Sequence, residues 1–366
     1  MRLCIDILYI IAATLLSLWF AQSVELQREH SQCVKSTMDI EEVITSDTIR
    51  LVFGGDLMQH MPQITAAKQS DGSFDYTPSF EYIAPIFHSA DIAVLNLETT
   101  ITTSQNYSGY PLFAAPAAIA DAMVDMGVDI ALLANNHICD RYGKGIDTTI
   151  NELTRRNIAH VGAYKDSIDF RDNNTHCFEC KGVRFALLNY TYGTNGMPIP
   201  KGRIVNLIDT LTIQRDLRQL SRDSVDCVIA CMHWGIEYER KANREQRNIA
   251  AMLRREGVDI IIGSHPHVIQ SYEADSTHVI YYSLGNLVSN QQWRYADGGL
   301  LAEVEVVRCD TIEGLRFNTT PHPVWVLCPE YRVLPRSVGD TIEMSASSRE
   351  QYNCFMTDTD KLLRRQ

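Results

Sequence analysis

Asp259-Ile260-Ile261-Ile262-Gly263-Ser264-His265-Pro266-His267 carries an apolar run, long enough for a buried strand, straight into two histidines that flank a proline. Glycine and proline punctuate the strand end, and histidines two apart on an extended segment can reach two neighbouring metal ions. The same ending recurs along the chain. Ile49 to Phe53 runs into Gly55-Asp56, Ile92 to Leu95 into Asn96-Leu97-Glu98, Ile130 to Ala134 into Asn135-Asn136-His137, and Cys227 to Met232 into His233-Trp234-Gly235. Two further apolar runs, Val183 to Asn189 and His278 to Tyr282, read as strands. Helical spacing fills the intervals: Pro116 to Met126, Ile146-Ile150-Leu153, Leu217-Leu220 and Ile249-Met252-Leu253. Near-continuous apolar strands alternating with amphipathic helices predict an α/β domain whose sheet is covered. Leu301 to Leu334, richer in Val, Pro and Trp, reads as closing strands and coil, and the polar last thirty or so residues as a peripheral helix.

In open α/β sheets ligands sit beyond the carboxyl ends of the strands, so the five polar endings converge on one site. Taken singly each is ordinary: an Asp after Gly commonly makes a turn or a helix cap, and a lone His is commonly a hydrogen-bonded core or surface residue. Their repetition in order is what carries chemistry. Oxygen and imidazole donors without cysteine suit Mn, Zn, Fe or Mg rather than a thiolate-bound structural ion. His30, His60, His88, His160, His176, His278 and His322 lack such company, although His60 follows Asp56 by only four residues.

Composition bounds the function. The 366 residues, 45% apolar and 21% charged, describe an ordinary globular chain, and a formal charge of -12 argues against a nucleic-acid surface. Residues 1–23 are predominantly apolar behind Met1 and Arg2, which predicts either a signal peptide cleaved after Ser23 or an uncleaved membrane anchor. Either form predicts export to the cell envelope, periplasmic or extracytoplasmic, with or without a membrane anchor. Residues 24–47 read as a polar linker, 48–335 as the functional domain and 336–366 as a tail. Of the ten cysteines, Cys177 and Cys180 could form a hairpin disulfide or remain free thiols, whereas Cys227, Cys231 and Cys309 sit in apolar strands as small hydrophobes.

Gly54-Gly55-Asp56-Leu57-Met58, Leu95-Asn96-Leu97-Glu98-Thr99, Ala134-Asn135-Asn136-His137 with Asp140 and Gly143, His233-Trp234-Gly235-Ile236-Glu237-Tyr238, Gly263-Ser264-His265-Pro266-His267-Val268 and Ser283-Leu284-Gly285-Asn286 follow one another between about residues 50 and 290. In these six motifs the chain resembles the CapA/PgsA-type poly-gamma-glutamate capsule biosynthesis family, within the calcineurin-like metallophosphoesterase superfamily. The resemblance implies a four-layer α/β/β/α sandwich of the metallophosphoesterase type with two divalent metal ions. It implies Glu98 as the bridging carboxylate, Asp56 and His267 on one ion, and Asn136, His233 and His265 on the other. His137 would protonate a leaving group, and Asp140 would orient His137 or cap the following helix. Asn96, Asn135, Trp234, Glu237, Tyr238, Ser283 and Asn286 stand as substrate contacts or as hydrogen-bond partners of the ligands, Trp234 as a wall of the cleft. One position departs from the superfamily: Met58 occupies the place of its usual Asp-x-His histidine, which thins the shell of the first ion. Two functions follow. One is a hydrolase of a phosphoester or gamma-glutamyl bond. The other is a non-catalytic component that holds an anionic surface polymer at a membrane-bound synthesis or export complex.

Overall fold

Alternate residues of the strand Asp47–Leu57 face different cores: Ile49, Leu51 and Phe53 pack toward a second sheet, and Val52 toward helices. The alternation then breaks. Gly54 pairs with Leu95 and Asp56 with Asn96, so Gly55 is one residue too many for the neighbouring strand, and beyond this bulge Leu57 belongs with the helix-facing core. A bulge of this kind re-aims the side chain that follows it, here Asp56. Glycine is required at the extra position, because a Cβ on Gly55 would lie 2.1 Å from the Gly285 carbonyl oxygen.

The structure, a computed structural model, describes residues 47–220, 224–308 and 314–364. One eight-stranded sheet runs in the order Arg332–Pro335, Leu315–Leu327, Gly298–Arg308, Asp47–Leu57, Ile92–Leu97, Ile130–Leu132, Ala159–Val161, with Asn286–Val288 added beside the end of Asp47–Leu57. From Asp47–Leu57 to Ala159–Val161 the pairing is parallel, and toward Arg332–Pro335 it is antiparallel. The second sheet runs Tyr272–Asp275, His278–Tyr281, Ile260–Ser264, Cys227–His233, Val183–Thr191, His176–Cys180, parallel inside with an antiparallel strand at each edge.

Three apolar clusters fill the spaces between layers. Phe53, Leu132, Leu187, Ile229 and Ile262 meet between the sheets. Val52 and Leu95 pack on Met123, Ile146 and Ile150 of the helices Ala118–Met126 and Tyr142–Thr154. Leu188, Ala230 and Met232 pack on Leu217, Ile249 and Leu253 of Thr210–Gln219 and Arg244–Arg255. The result is the expected α/β/β/α sandwich. Its consequence for function is that the carboxyl ends of the parallel strands from both sheets carry the polar motifs, each strand ending where its apolar packing ends.

The seven expected strands and four expected helices all occur, and the structure adds strands that the pattern hid. His176–Cys180 and Tyr272–Asp275 are edge strands with mixed burial, and Ala159–Val161 is only three residues long. Cys177 and Cys180 are both free thiols; an odd separation on one strand points them to opposite faces, which excludes the hairpin disulfide. Cys227 and Cys231 lie in the inter-sheet core as small hydrophobes. The C-terminal residues expected to be peripheral form the helix Ala346–Leu363, which buries Tyr352, Phe355 and Met356 in the inter-sheet cluster. Their i, i+3, i+4 spacing is an apolar stripe that the polar composition around it masks. Among the described residues no helix is long and apolar enough to cross a membrane, and the apolar leader 1–23 lies outside them.

Candidate metal centre

Five strand ends deliver the predicted donors into one buried cluster. Asp56 and Glu98 are 0% exposed, Asn136 1%, His233 0%, His265 3% and His267 2%. Asp56 arrives by the bulge, and Glu98 by the turn just past Ile92–Leu97, where its amide donates to the Leu57 carbonyl. His265 and His267 sit on a turn that needs Gly263, since a Cβ there would lie 2.0 Å from the Tyr282 carbonyl oxygen. Both histidines have left-handed backbones, φ 97° and 57°, as does Tyr238 at 66°. Such conformations cost energy in residues with a Cβ and persist where the surroundings over-determine them, often at functional sites.

The hydrogen bonds fix which atoms point inward. His267 Nδ1 lies 3.0 Å from Asp56 Oδ2 and 3.1 Å from Asn286 Oδ1. Because the Asn286 amide nitrogen already donates to Gln291 Oε1 and the Ala296 carbonyl, both neighbours of Nδ1 are acceptors, and the His267 proton belongs on Nδ1. His267 Nε2 therefore presents a lone pair, 3.8 Å from Glu98 Oε1. On the other side His233 Nε2 is 3.7 Å from the same oxygen and 2.8 Å from Asn136 Oδ1, while its Nδ1 is 3.1 Å from Ser264 Oγ. Asn96 completes the floor, donating to Asp56 Oδ1 at 2.8 Å.

Among the buried side-chain atoms of the site without a hydrogen-bond partner are Glu98 Oε1 and His265 Nδ1, together with Asn96 Oδ1 and Asp140 Oδ1. Burial, and then the neighbouring Asp56 charge, push the Glu98 carboxyl well above its usual range. Burial, then the positive charge the other histidines would carry, holds His233 well below its ordinary value and His265 down to about 3. The His233 and His265 imidazoles are therefore neutral ligands at physiological pH, facing a carboxyl group that has no cationic side chain beside it. The potential ligand atoms of Glu98, His233 and His265 lie within 4.8 Å of one another, as do those of Asp56, Glu98 and His267. With ligand bonds of about 2.0–2.2 Å, donors spaced in this way fit divalent cations, and Glu98 belongs to both groups.

His137 stands beside the cluster, 3% exposed, with Nδ1 2.8 Å from Asp140 Oδ2. Asp140 also accepts from the Phe113 amide at 2.7 Å. The helix Tyr142–Thr154 has Arg141 at its N-cap with no side-chain bond, so the capping alternative for Asp140 is replaced by the bond to His137. Asn135 links the turn to the next strand end, donating to the Leu97 carbonyl at 2.9 Å and accepting from the His137 amide. Ser283 braces a loop through the Val268 carbonyl. Trp234 turns away from His233 and is buried in the helix-facing core, with Nε1 donating to the Tyr282 carbonyl, and it lines a cavity together with Tyr192 and Gln246. Glu237 is exposed, near His265 and His267, and half-exposed Tyr238 stacks obliquely 6.0 Å from the His267 ring. Sequence reasoning missed Ser264, which holds His233, and the pair Tyr192 and Asn195. Asn136 donates to Asn195 Oδ1 at 3.2 Å, and the Tyr192 ring lies 4.4 Å from that of His265. Ser264 was visible inside the Gly263–His267 motif, but the loop carrying Tyr192 and Asn195 follows no spacing rule.

The profile of the bacterial capsule synthesis protein PGA_cap family matches residues 50–291. The PGA biosynthesis protein CapA of Bacillus subtilis (strain 168) is 28% identical over 283 residues, covering 76% of this chain and 72% of that protein. The capsule biosynthesis protein CapA of Bacillus anthracis is 28% identical over 319 residues, covering 81% and 74%. Among solved structures, a putative 5'-nucleotidase from Staphylococcus aureus in complex with alpha-ketoglutarate superposes with a TM-score of 0.50 at 14% identity, over 85% of this chain and 58% of that one. That likeness concerns the fold, which is of the metallophosphoesterase type. With the profile spanning the strands and turns that build the cluster, the chain belongs to the bacterial capsule synthesis protein PGA_cap family.

Proposed function

We propose that the protein is an exported metal-dependent hydrolase of capsule polymer biosynthesis, cleaving a phosphoester or gamma-glutamyl bond at a two-cation centre. The observation that carries this reading is the unpartnered Glu98 Oε1, buried 3.7 Å from His233 Nε2 and 3.8 Å from His267 Nε2. Asp56, Glu98 and His267 would hold one ion and Asn136, Glu98, His233 and His265 the other, Glu98 bridging them. Bound there, divalent ions supply Lewis-acid chemistry and neutralise developing negative charge. The chain's own contribution is proton transfer: Asp140 holds Nδ1 of His137, which leaves Nε2 to deliver a proton to the leaving oxygen or nitrogen. Asn96 and Asn286 restrain Asp56 and His267, which leaves His267 Nε2 to face the ion.

A second reading is supported by Met58, which is buried and offers no nitrogen or oxygen where the superfamily has its histidine. In it the same fold holds an anionic polymer at an envelope complex without cleaving it. The deciding experiment compares wild type with His137→Asn on phosphoesters and gamma-glutamyl polymers in the presence of Mn, Zn, Fe or Mg. The hydrolase reading expects full metal content and a rate lower by about a hundred- to ten-thousand-fold, most on poor leaving groups. Absence of turnover in wild type with every metal, combined with loss of polymer export in a deletion strain, favours the assembly reading.

A further inference from the structure

Glu237 belongs to neither ligand group assigned above, yet among the described residues its oxygen lies with His265 and His267 nitrogens inside a 4.8 Å set. Its position is imposed by the loop that follows Cys227–His233. The Tyr238 amide donates to the Pro266 carbonyl at 2.8 Å, tying the loop to the middle of the His265-Pro266-His267 turn. Gln270 Nε2 donates to the Glu239 carbonyl at 2.7 Å, and Gln291 Nε2 to the Tyr238 hydroxyl at 3.1 Å. The two residues that follow Glu237 are thus tied down, and Glu237 is exposed beside the histidine turn.

The two sides of Glu98 differ in what they lack. The His233 side has two imidazoles and the Asn136 amide. The His267 side has one imidazole, and both Asp56 oxygens already accept hydrogen bonds, from Asn96 Nδ2, the His265 amide and His267 Nδ1. The turn that carries His267 also carries His265, which is buried and whose Nδ1 has no partner. An unpartnered buried nitrogen beside a held carboxylate is an arrangement that a cation completes.

From this geometry we infer that Glu237 is a metal ligand, closing the His267 side of the centre from solvent and supplying the donor that Met58 does not. The inference rests on the two-cation reading above. Glu237 then has a double consequence. It raises the affinity of the weaker ion, and because it is exposed it is the ligand an incoming anionic substrate can displace without disturbing the buried set.

The test is metal content and affinity of Glu237→Gln and Glu237→Asp, by elemental analysis after dialysis and by calorimetric titration with Mn and Zn. A cobalt-loaded sample of each, read by visible absorption, distinguishes a ligand from a distant charge. The expected result is two ions per chain in wild type. Glu237→Gln weakens the weaker binding event by more than the roughly 10- to 100-fold that losing a ligand's hydrogen-bond partner costs, and changes the cobalt spectrum. Glu237→Asp falls between. Because the side chain is exposed, the metal-free variants should melt with wild type, which separates lost affinity from lost fold. Two ions at wild-type affinity in Glu237→Gln, or weaker binding with an unchanged cobalt spectrum, overturns the assignment of Glu237 and leaves the centre standing. Wild type that binds no ion overturns both.

Discussion

On the His233 side of Glu98, two neutral imidazoles and an amide converge from three different turns; on the His267 side, a single imidazole shares its second nitrogen between Asp56 and Asn286. The first side is rich in nitrogen donors that need only lose water to bind. The second is rich in charge but has spent much of its hydrogen-bonding capacity on holding itself in place. Bond strength at such sites follows ligand type and geometry, so the two sides should differ in affinity and in metal preference, with harder cations favoured where carboxylates dominate. One bridging residue serving two unlike sides makes Glu98 the common point of failure.

The largest effect therefore belongs to Glu98→Gln. The amide keeps the volume and removes the charge both cations need, so elemental analysis should find close to none bound in place of two, with the circular dichroism of wild type. Wherever the wild-type carboxyl is ionised, the metal-free variant should also be at least as stable as metal-free wild type, because it no longer buries an unpaired charge. Two ions retained by the variant would break the comparison at its centre.

A smaller effect separates the sides. His267→Ala should strip one ion and leave the other near wild-type affinity, whereas His233→Ala should weaken the tighter event and leave the looser one measurable. Titration of each variant with Mn and Zn reads this directly. Equal losses in both would mean that the ions bind as one cooperative unit, and the asymmetry would carry no thermodynamic weight.

How much of this could be read before the fold was known follows the same division. Strand-end donors were legible because a buried strand is an apolar run, and a polar ending such as Gly263-Ser264-His265 stands out against it. The motif Asn135-Asn136-His137 was legible for the same reason. What holds the donors was not. Tyr192 and Asn195 reach Asn136 across a loop whose path no periodicity encodes, and Trp234 turned out to face helices because strand parity at position 233 cannot be fixed without the sheet. The bulge at Gly55 was hidden too, since an extra residue in a strand changes no composition, only register. Short edge strands such as His176–Cys180 alternate polar and apolar residues too weakly to declare themselves, and the C-terminal helix hid its three buried residues among polar ones.

The smallest expected effect is on acid stability, and it sharpens what the nitrogen-rich side costs when metal is removed. Burial and the neighbouring histidines lower His265 from 6.5 to about 3 in the folded protein. Between those values the unfolded chain binds a proton that the folded one refuses, so the stability of the metal-free protein rises with pH across this window and is lost as pH falls below 6.5. Glu98 works in the opposite direction: its folded carboxyl holds a proton above 4.5, so its contribution is lost as pH rises. The two overlap from pH 4.5 upward, and measuring either requires removing the other. In a Glu98→Gln background the carboxyl is gone, and His265 alone should cost about 2 kcal/mol between pH 7 and pH 5. His233, lowered for the same reason, adds a slope of the same sign. Chemical denaturation of metal-free Glu98→Gln and of Glu98→Gln with His265→Asn, at both pH values, should show the second protein losing less stability on acidification. Parallel losses in the two would mean that His265 takes up its proton in the folded state, and the buried, unpartnered Nδ1 would no longer stand as a nitrogen kept free for a cation.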